Sequence, residues 1–393
     1  MTITNGKPSI AFVSTYPPRE CGIATFTRDL TRAMTMRDLT RRNLIVPIEN
    51  DERRSYPGIP YTINQHEKGS YRLASEFLNG SDVDVLSLQH EFGIFGGDCG
   101  EYVLDLCRSL KMPFVTTFHT VLRKPTEKVR RIVREISLMS SRVVVTIESA
   151  AKILTEDFRI KPDKIVVIHH GASPPDRQRY VKRQLGLQKR TVLATHGLIS
   201  SSKGIEFAIK ALSSLVDARP NLLYLVIGET HPEVRKSEGE AYRNRLIALT
   251  QDLQLTKNVR FVNQFLRDDD LSLYLQAVDI YLAPYLSKDQ VSSGTITLAL
   301  SHGKAVVSTP TIFAKEILYD RGLLCKFANA PSIADCVRKI LKDSNLRHRL
   351  EANALSYGQS VGWTRVADEY DHVFRFAIGD RQTIAKVATI SEA

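Results

Sequence analysis

The chain has 393 residues, 43% of them apolar and 25% charged, with a formal net charge of +11. That length suits two or three domains with full cores, and the composition excludes a disordered or collagen-like chain. No apolar run approaches the ~18 residues of a membrane span, and MTITNGKPSIAFVS lacks the basic start and long apolar segment of a secretion signal.

Five cysteines, Cys21, Cys99, Cys107, Cys325 and Cys336, form no CxxC pair. They read as reduced thiols of a cytoplasmic protein, without a metal site or a disulfide framework.

In chain order, short β-rich runs alternate with helical patterns. The first half offers SIAFVS (Ser9–Ser14), NLIVPI (Asn43–Ile48), DVLSL (Asp84–Leu88), PFVTTF (Pro113–Phe118), RVVVTI (Arg142–Ile147) and KIVVI (Lys164–Ile168). The densest basic stretch, RKPTEKVRRIVREI, sets Val129, Ile132, Val133 and Ile136 at helical spacing and leaves its arginines on the other side. That is a solvated helix face, with contact to a membrane surface or an acidic acceptor as the alternative. HHGASPPDRQR, His169 to Arg179, breaks the pattern with two prolines and reads as a linker. After Arg190 the alternation restarts with TVLATH, LLYLVI, VRFV, DIYLAP, KAVVS and LLC. Ile205, Ala208, Ile209, Leu212, Leu215 and Val216 share one face of the helix after Lys203. Such alternation predicts an α/β chain of two doubly wound, Rossmann-like domains whose ligands lie beyond the carboxyl ends of the strands, in the cleft they would face. GWTRVADEYDHVFRFAI, from Gly362, predicts one more amphipathic helix, followed by a polar, frayed end. The expected division is 1–173, 174–358, a terminal helix over 359–380 and a tail over 381–393.

The strand-to-helix loops are where chemistry sits in such a fold. After the first strand, Cys21-Gly22 opens a helix whose amides could face an anion. No GxGxxG occurs in either half, which argues against a dehydrogenase. QHEFGIFGGDCG combines His90, Glu91, two aromatics and four glycines, a pattern suited to a mobile loop around a sugar ring. His119 stands at a strand tip between Thr117 and Thr120. In the second half, Lys203-Gly204 precedes a helix, where the helix dipole disfavours a cation by roughly 0.3–1 kcal/mol unless a phosphate is bound. GETHPEVRKSEGEAYR carries Glu229, His231 and Arg235. In QVSSGTITLALSHGK, Gln290 leads to Ser292, Ser293, Gly294 and Thr295, small residues that cap a helix and let phosphate oxygens approach its amides. Asp268, Asp269 and Asp270 read as helix-start acids rather than a metal motif.

GLISSSKGIEFAIKAL, VDIYLAPYLSKDQVSSGTITLALSHGKAVVSTP and TTFHT together resemble the retaining-type, GT-B-fold glycosyltransferases of family 4, whose second domain is called glycosyl transferases group 1. The resemblance covers nearly the whole chain. GWTRVADEYDHVF is similar to the family's terminal helix, which crosses back onto the first domain. The resemblance implies a nucleotide-sugar donor as substrate and no obligatory metal or other cofactor. It assigns Lys203 to the donor diphosphate, Gly22 to the glycine loop facing it, and His119 to the transferred sugar. Two departures stand out. Leu198 occupies the place of the family's arginine, and the glutamate pair separated by seven residues becomes Gln290 and Leu298. Ribose recognition then falls to Glu316 or Glu229. The Q-x-S-S-G-T variant looks like a mannosyltransferase-like subgroup, which implies GDP-mannose.

The expected reaction is transfer of a sugar to a hydroxyl of a carbohydrate or glycoconjugate acceptor, with His90 or Glu91 on the acceptor side. Rival readings are a nucleotide-sugar 2-epimerase, for which too few carboxylates and histidines align, and a non-catalytic nucleotide-sugar-binding protein. Nucleic acid is not expected as a partner, since no aromatic-basic motif accompanies the positive charge. The expected location is cytoplasmic, with peripheral contact at the inner face of the membrane as the alternative.

Overall fold

The computed structural model describes residues 8–39, 41–50 and 54–391, without the side chains of 380–391. The chain divides into two compact units. The first runs to Gly171 and takes up the chain again from Trp363; the second is Ala172–Gly362.

The first unit holds seven parallel strands: β1 (Ile10–Ser14), β2 (Asn43–Glu49), β3 (Ile63–Asn64), β4 (Val85–His90), β5 (Phe114–Phe118), β6 (Arg142–Val145) and β7 (Ile165–Val167). Their order is β3-β2-β1-β4-β5-β6-β7. The order reverses beside β1, so the carboxyl ends of β1 and β4 form the crevice where such sheets bind ligands. The pattern reading anticipated six of these strands. It ended β4 at Leu88, whereas the strand continues through Gln89 and His90.

The helix Gly22–Arg37 packs on this sheet through Phe26, Leu30, Ala33 and Met34, residues spaced along one face. The last helix, Trp363–Ser391, belongs to the same core. Val366, Ala367, Tyr370, Phe374 and Ala377 lie with Ile10, Phe12, Val115 and Val144. Burying each large apolar side chain contributes roughly 1.5–3 kcal/mol, so the helix is bound firmly into the first unit. The Tyr370 hydroxyl adds a hydrogen bond to Thr117 Oγ1 at 3.0 Å.

On the basic helix Glu127–Met139, Val129, Ile132, Val133 and Ile136 are buried as the spacing predicts. Lys128, Arg130 and Arg131 find acids of the same unit. Lys128 meets Asp98 and Glu101 at 2.9 and 3.1 Å, and Arg130 meets Glu127 at 3.3 Å. Among the described residues, no helix is long and apolar enough to cross a membrane, and the five cysteines are free.

The second unit has six parallel strands: β8 (Thr191–His196), β9 (Leu222–Ile227), β10 (Val259–Val262), β11 (Ile280–Ala283), β12 (Ala305–Ser308) and β13 (Gly322–Leu324). Their order, β10-β9-β8-β11-β12-β13, puts the switch point at β8 and β11. Helices cover both faces, with Ile205, Ile209 and Leu212 in one core layer and Val192, Ala194 and Leu225 in the other. Arg267 stands at the cap of the helix Asp268–Ala277, and the three aspartates fill its first turn, where the helix dipole favours them.

Candidate active site

In the first unit, β1 leads into Thr15, whose hydroxyl meets Cys21 Sγ at 2.9 Å. Cys21 caps the helix by accepting from Ala24 N at 3.3 Å. A Cβ on Gly22 would meet nothing within 4 Å, so the space over this helix start is open.

The tips of β4 and β5 are joined by the His119 amide, which donates to the His90 carbonyl at 3.0 Å. The His119 ring is buried, with Nε2 2.9 Å from Gln89 Oε1. The Gln89 amide nitrogen donates to Ser87 Oγ at 2.8 Å and to Thr117 Oγ1 at 3.4 Å. With its oxygen thus turned to the imidazole, the network assigns the proton of His119 to Nε2 and leaves Nδ1 as an acceptor. Phe26 stands edge-on to His119, His170 and Trp363 at 4.7, 5.1 and 5.2 Å. Burial, helped by His170 and His90, pushes the His119 pKa down to about 3. The imidazole is therefore neutral at ordinary pH.

His90 ends β4 with no exposure, packed against Phe92, Phe95 and Phe118. Among the described residues neither ring nitrogen has a partner, and burial lowers its pKa to about 3. So placed, it offers no nitrogen to an acceptor. Glu91 is half-buried, accepting from Phe92 N at 3.0 Å and from Thr120 Oγ1 at 2.5 Å. Burial raises its carboxyl pKa.

The loop after Glu91 is not the mobile segment its glycines suggest. It forms two tight turns, Phe92–Ile94 and Asp98–Gly100, with Ile94 and Phe95 buried. A Cβ on Gly96 would lie 1.8 Å from the Gln65 carbonyl, and Gly97 and Gly100 take φ of +80° and +76°. These glycines permit close packing and left-handed turns.

In the second unit the tips of β8 and β9 carry Gly197 and Gly228, at φ +117° and +131°. A Cβ on Gly228 would lie 2.1 Å from the Gly197 carbonyl, so only glycine fits there. Lys203 closes the turn Ser201–Lys203 just before the helix Ile205–Val216. It is half-buried, with Nζ 4.4 Å from the Tyr285 ring centre and 3.5 Å from where a Gly197 Cβ would stand. Among the described residues, no carboxylate pairs with it. Tyr285 OH bonds Thr295 Oγ1 at 2.5 Å, and Ser293 Oγ lies 3.2 Å from the same atom. Ser293 caps the helix Gly294–Ser301 through Ile296 N, as the Ser-Ser-Gly pattern predicts, with Ser292 half-buried before it. The amides of Gly294 and Thr295 find no acceptor among the described residues.

The remaining candidates lie around this tip without joining Lys203. Glu229 is held by Arg235 at 2.8 Å, and His231 Nδ1 caps the helix Pro232–Glu238. Gln290 has a buried Oε1 without a partner, and its carbonyl accepts from Phe313 N at 2.9 Å. Glu316 is half-buried on the helix Ile312–Ile317. Sequence reasoning missed Gln89, Gly197, Gly228 and Tyr285. Gly197 and Gly228 each follow a predicted strand directly, a signal that could have found them.

Comparison with known proteins decides the family. The Glycosyltransferase Family 4 profile matches residues 22–174, and Glycosyl transferases group 1 matches residues 176–356. The chain belongs to glycosyltransferase family 4. This glycosyltransferase is 24% identical over 321 residues to the D-inositol 3-phosphate glycosyltransferase of Corynebacterium glutamicum, covering 75% of this chain and 73% of the relative. The Corynebacterium efficiens protein of the same name is 25% identical over 349 residues, covering 80% and 78%. In fold, the enzyme resembles Anabaena HepE solved in complex with UDP, at a TM-score of 0.74, 16% identity, and coverage of 93% and 99%. Sucrose-phosphate synthase from Thermosynechococcus elongatus matches at a TM-score of 0.74, 18% identity, and coverage of 94% and 98%. These neighbours share the GT-B fold, and the glycosyltransferase takes its place among them.

Proposed function

We propose that the enzyme moves a hexose from a nucleoside diphosphate to a hydroxyl of a carbohydrate or glycoconjugate, without a metal. One observation carries the donor class. Lys203 is a half-buried lysine that pairs with no carboxylate among the described residues, set against the strand-tip glycines and near Thr295, in the first turn of the helix that Ser293 caps. A diphosphate supplies the acceptors that Lys203 and the Gly294 and Thr295 amides lack.

As the glycosidic bond breaks, charge builds on the diphosphate. Lys203 and these amides stabilise that charge, the effect that usually dominates such catalysis. His119, neutral and held by Gln89, accepts a hydrogen bond from a sugar hydroxyl at Nδ1 and orients the ring. Glu91 serves the acceptor, since each of its oxygens keeps a lone pair beyond its present bond. Gln290 and Glu316 are assigned to the nucleotide and sugar, while Glu229 is held by Arg235.

GDP-mannose is the donor favoured by the Q-x-S-S-G-T segment. A UDP-sugar is the second reading, favoured by the likeness to HepE, which was solved with UDP. A thermal-shift panel of GDP-, UDP- and ADP-sugars separates them, because a ligand that binds only the folded state raises stability by mass action. The reading requires one nucleotide class to raise Tm saturably and that sugar to be transferred to an acceptor. A panel without any shift overturns it.

A further inference from the structure

We propose that the second unit carries an anion site at the amino-terminal edge of its sheet, built to take the phosphate of a small phosphorylated molecule. A cavity of about 490 Å³ lies there, beside the starts of β8, β9 and β10. Leu223 and Val259 line it together with Arg190, Lys257 and Arg260, and no acidic residue does. Among the described residues, none of the three cations pairs with a carboxylate.

Arg190 shows what is missing. Its Nη2 donates to the carbonyls of Leu222 and Lys257 at 3.1 and 2.5 Å, which fixes the guanidinium in place. Its Nε is buried and has no acceptor among the described residues. Burial, and after it the like charge of Arg260, pulls its pKa below the ordinary arginine range. Holding like charges together around a cavity is unfavourable unless an anion occupies it, and a phosphate both offsets the repulsion and supplies acceptors. The volume exceeds that of phosphate alone and falls in the range of small-molecule pockets, roughly 300–1,000 Å³. The edge is opposite to the one carrying Lys203 and Gly294, so the site is distinct from the donor site.

The probe is inorganic phosphate, titrated at constant ionic strength and followed by ³¹P NMR. The full-length protein is compared with Lys203→Ala and with the double variant Lys257→Ser, Arg260→Ser. Lys257 and Arg260 are exposed, so the double variant should unfold at the wild-type temperature; Arg260→Ser alone replaces it if it does not. Arg190 is left in place because it ties two backbone segments. Saturable binding that survives Lys203→Ala and weakens at least about tenfold in the double variant supports the site. Sedimentation with phosphatidic acid vesicles, against phosphatidylcholine alone, identifies the source. Vesicle capture that depends on Lys257 and Arg260, without free phosphate binding, assigns the site to a lipid headgroup. Equal phosphate binding in wild type and double variant overturns the proposal, as does loss through Lys203→Ala alone or binding to neither probe.

Discussion

The two strand-tip regions solve different problems. In the first unit, His90, His119 and His170 sit among phenylalanines and Trp363, and burial lowers their pKa values to about 3, 3 and 4. In the second, Lys203 stands beside glycines, a tyrosine face and a threonine, and among the described residues no carboxylate pairs with it. One tip presents a neutral imidazole, His119, oriented by Gln89; the other presents a lysine without a carboxylate partner and two amides without acceptors among the described residues. The contrast matches two requirements of the proposed reaction: positioning a neutral sugar needs rigidity, whereas meeting a diphosphate needs charge and room.

The largest effect should come from the neutral tip. His119→Ala is expected to lower kcat about a hundredfold through lost orientation, with donor affinity within a few-fold of wild type. Steady-state kinetics checks this. A near-normal kcat with a raised KM for donor would make His119 a binding residue and erase the contrast.

Lys203→Ala comes next. Removing one charge-assisted bond of roughly 1.5–3 kcal/mol weakens nucleoside diphosphate binding about ten- to over a hundredfold. The fold loses only the contact with Tyr285, on the order of 0.5–1 kcal/mol. Calorimetric titration decides the matter, and equal affinities in two folded proteins would remove Lys203 from the site.

The buried histidines also set an acid limb of stability. Their folded pKa values lie below the unfolded value of ~6.5, so the unfolded chain binds more protons as pH falls through that value. Stability is therefore present above about pH 6.5 and declines below it, by up to ~1.4 kcal/mol per pH unit for each histidine until its folded pKa is reached. His90 isolates the term, because neither of its nitrogens has a partner. His90→Leu should leave Tm at pH 7 nearly unchanged and flatten the fall in Tm between pH 6.5 and 5. An unaltered slope would mean that His90 does not titrate with unfolding. The smallest expected effect is that of EDTA, which should leave the rate unchanged; loss restored by Mg²⁺ or Mn²⁺ would require a metal at the charged tip.

Much of this was legible in the residues. Short, near-continuous runs of Val, Ile and Leu announced the parallel strands, since a strand buried on both faces needs an apolar residue at nearly every position. Ser293 as a cap, Lys203 before a helix and His119 at a strand tip were legible because caps, turns and strand ends are local features. Gln89 was not legible: it reads as one more strand residue until the fold sets it 2.9 Å from His119. Nor did Gly96, Gly97 and Gly100 announce close packing, because the atoms that crowd Gly96 belong largely to Gln65 and Tyr102.

By itself, then, the sequence determined the alternation of strands and helices, the cap at Ser293 and the place of Lys203 just before a helix, all set by neighbours within a few residues. Only the tertiary structure decided which histidines are neutral and which groups are unpaired. It also supplied the contacts of the last helix, which the family resemblance already returned to the first domain: Tyr370 meets Thr117 across 253 residues of chain. Burial and hydrogen-bond partnership are properties of the surroundings, and the fold draws those surroundings from distant parts of the chain.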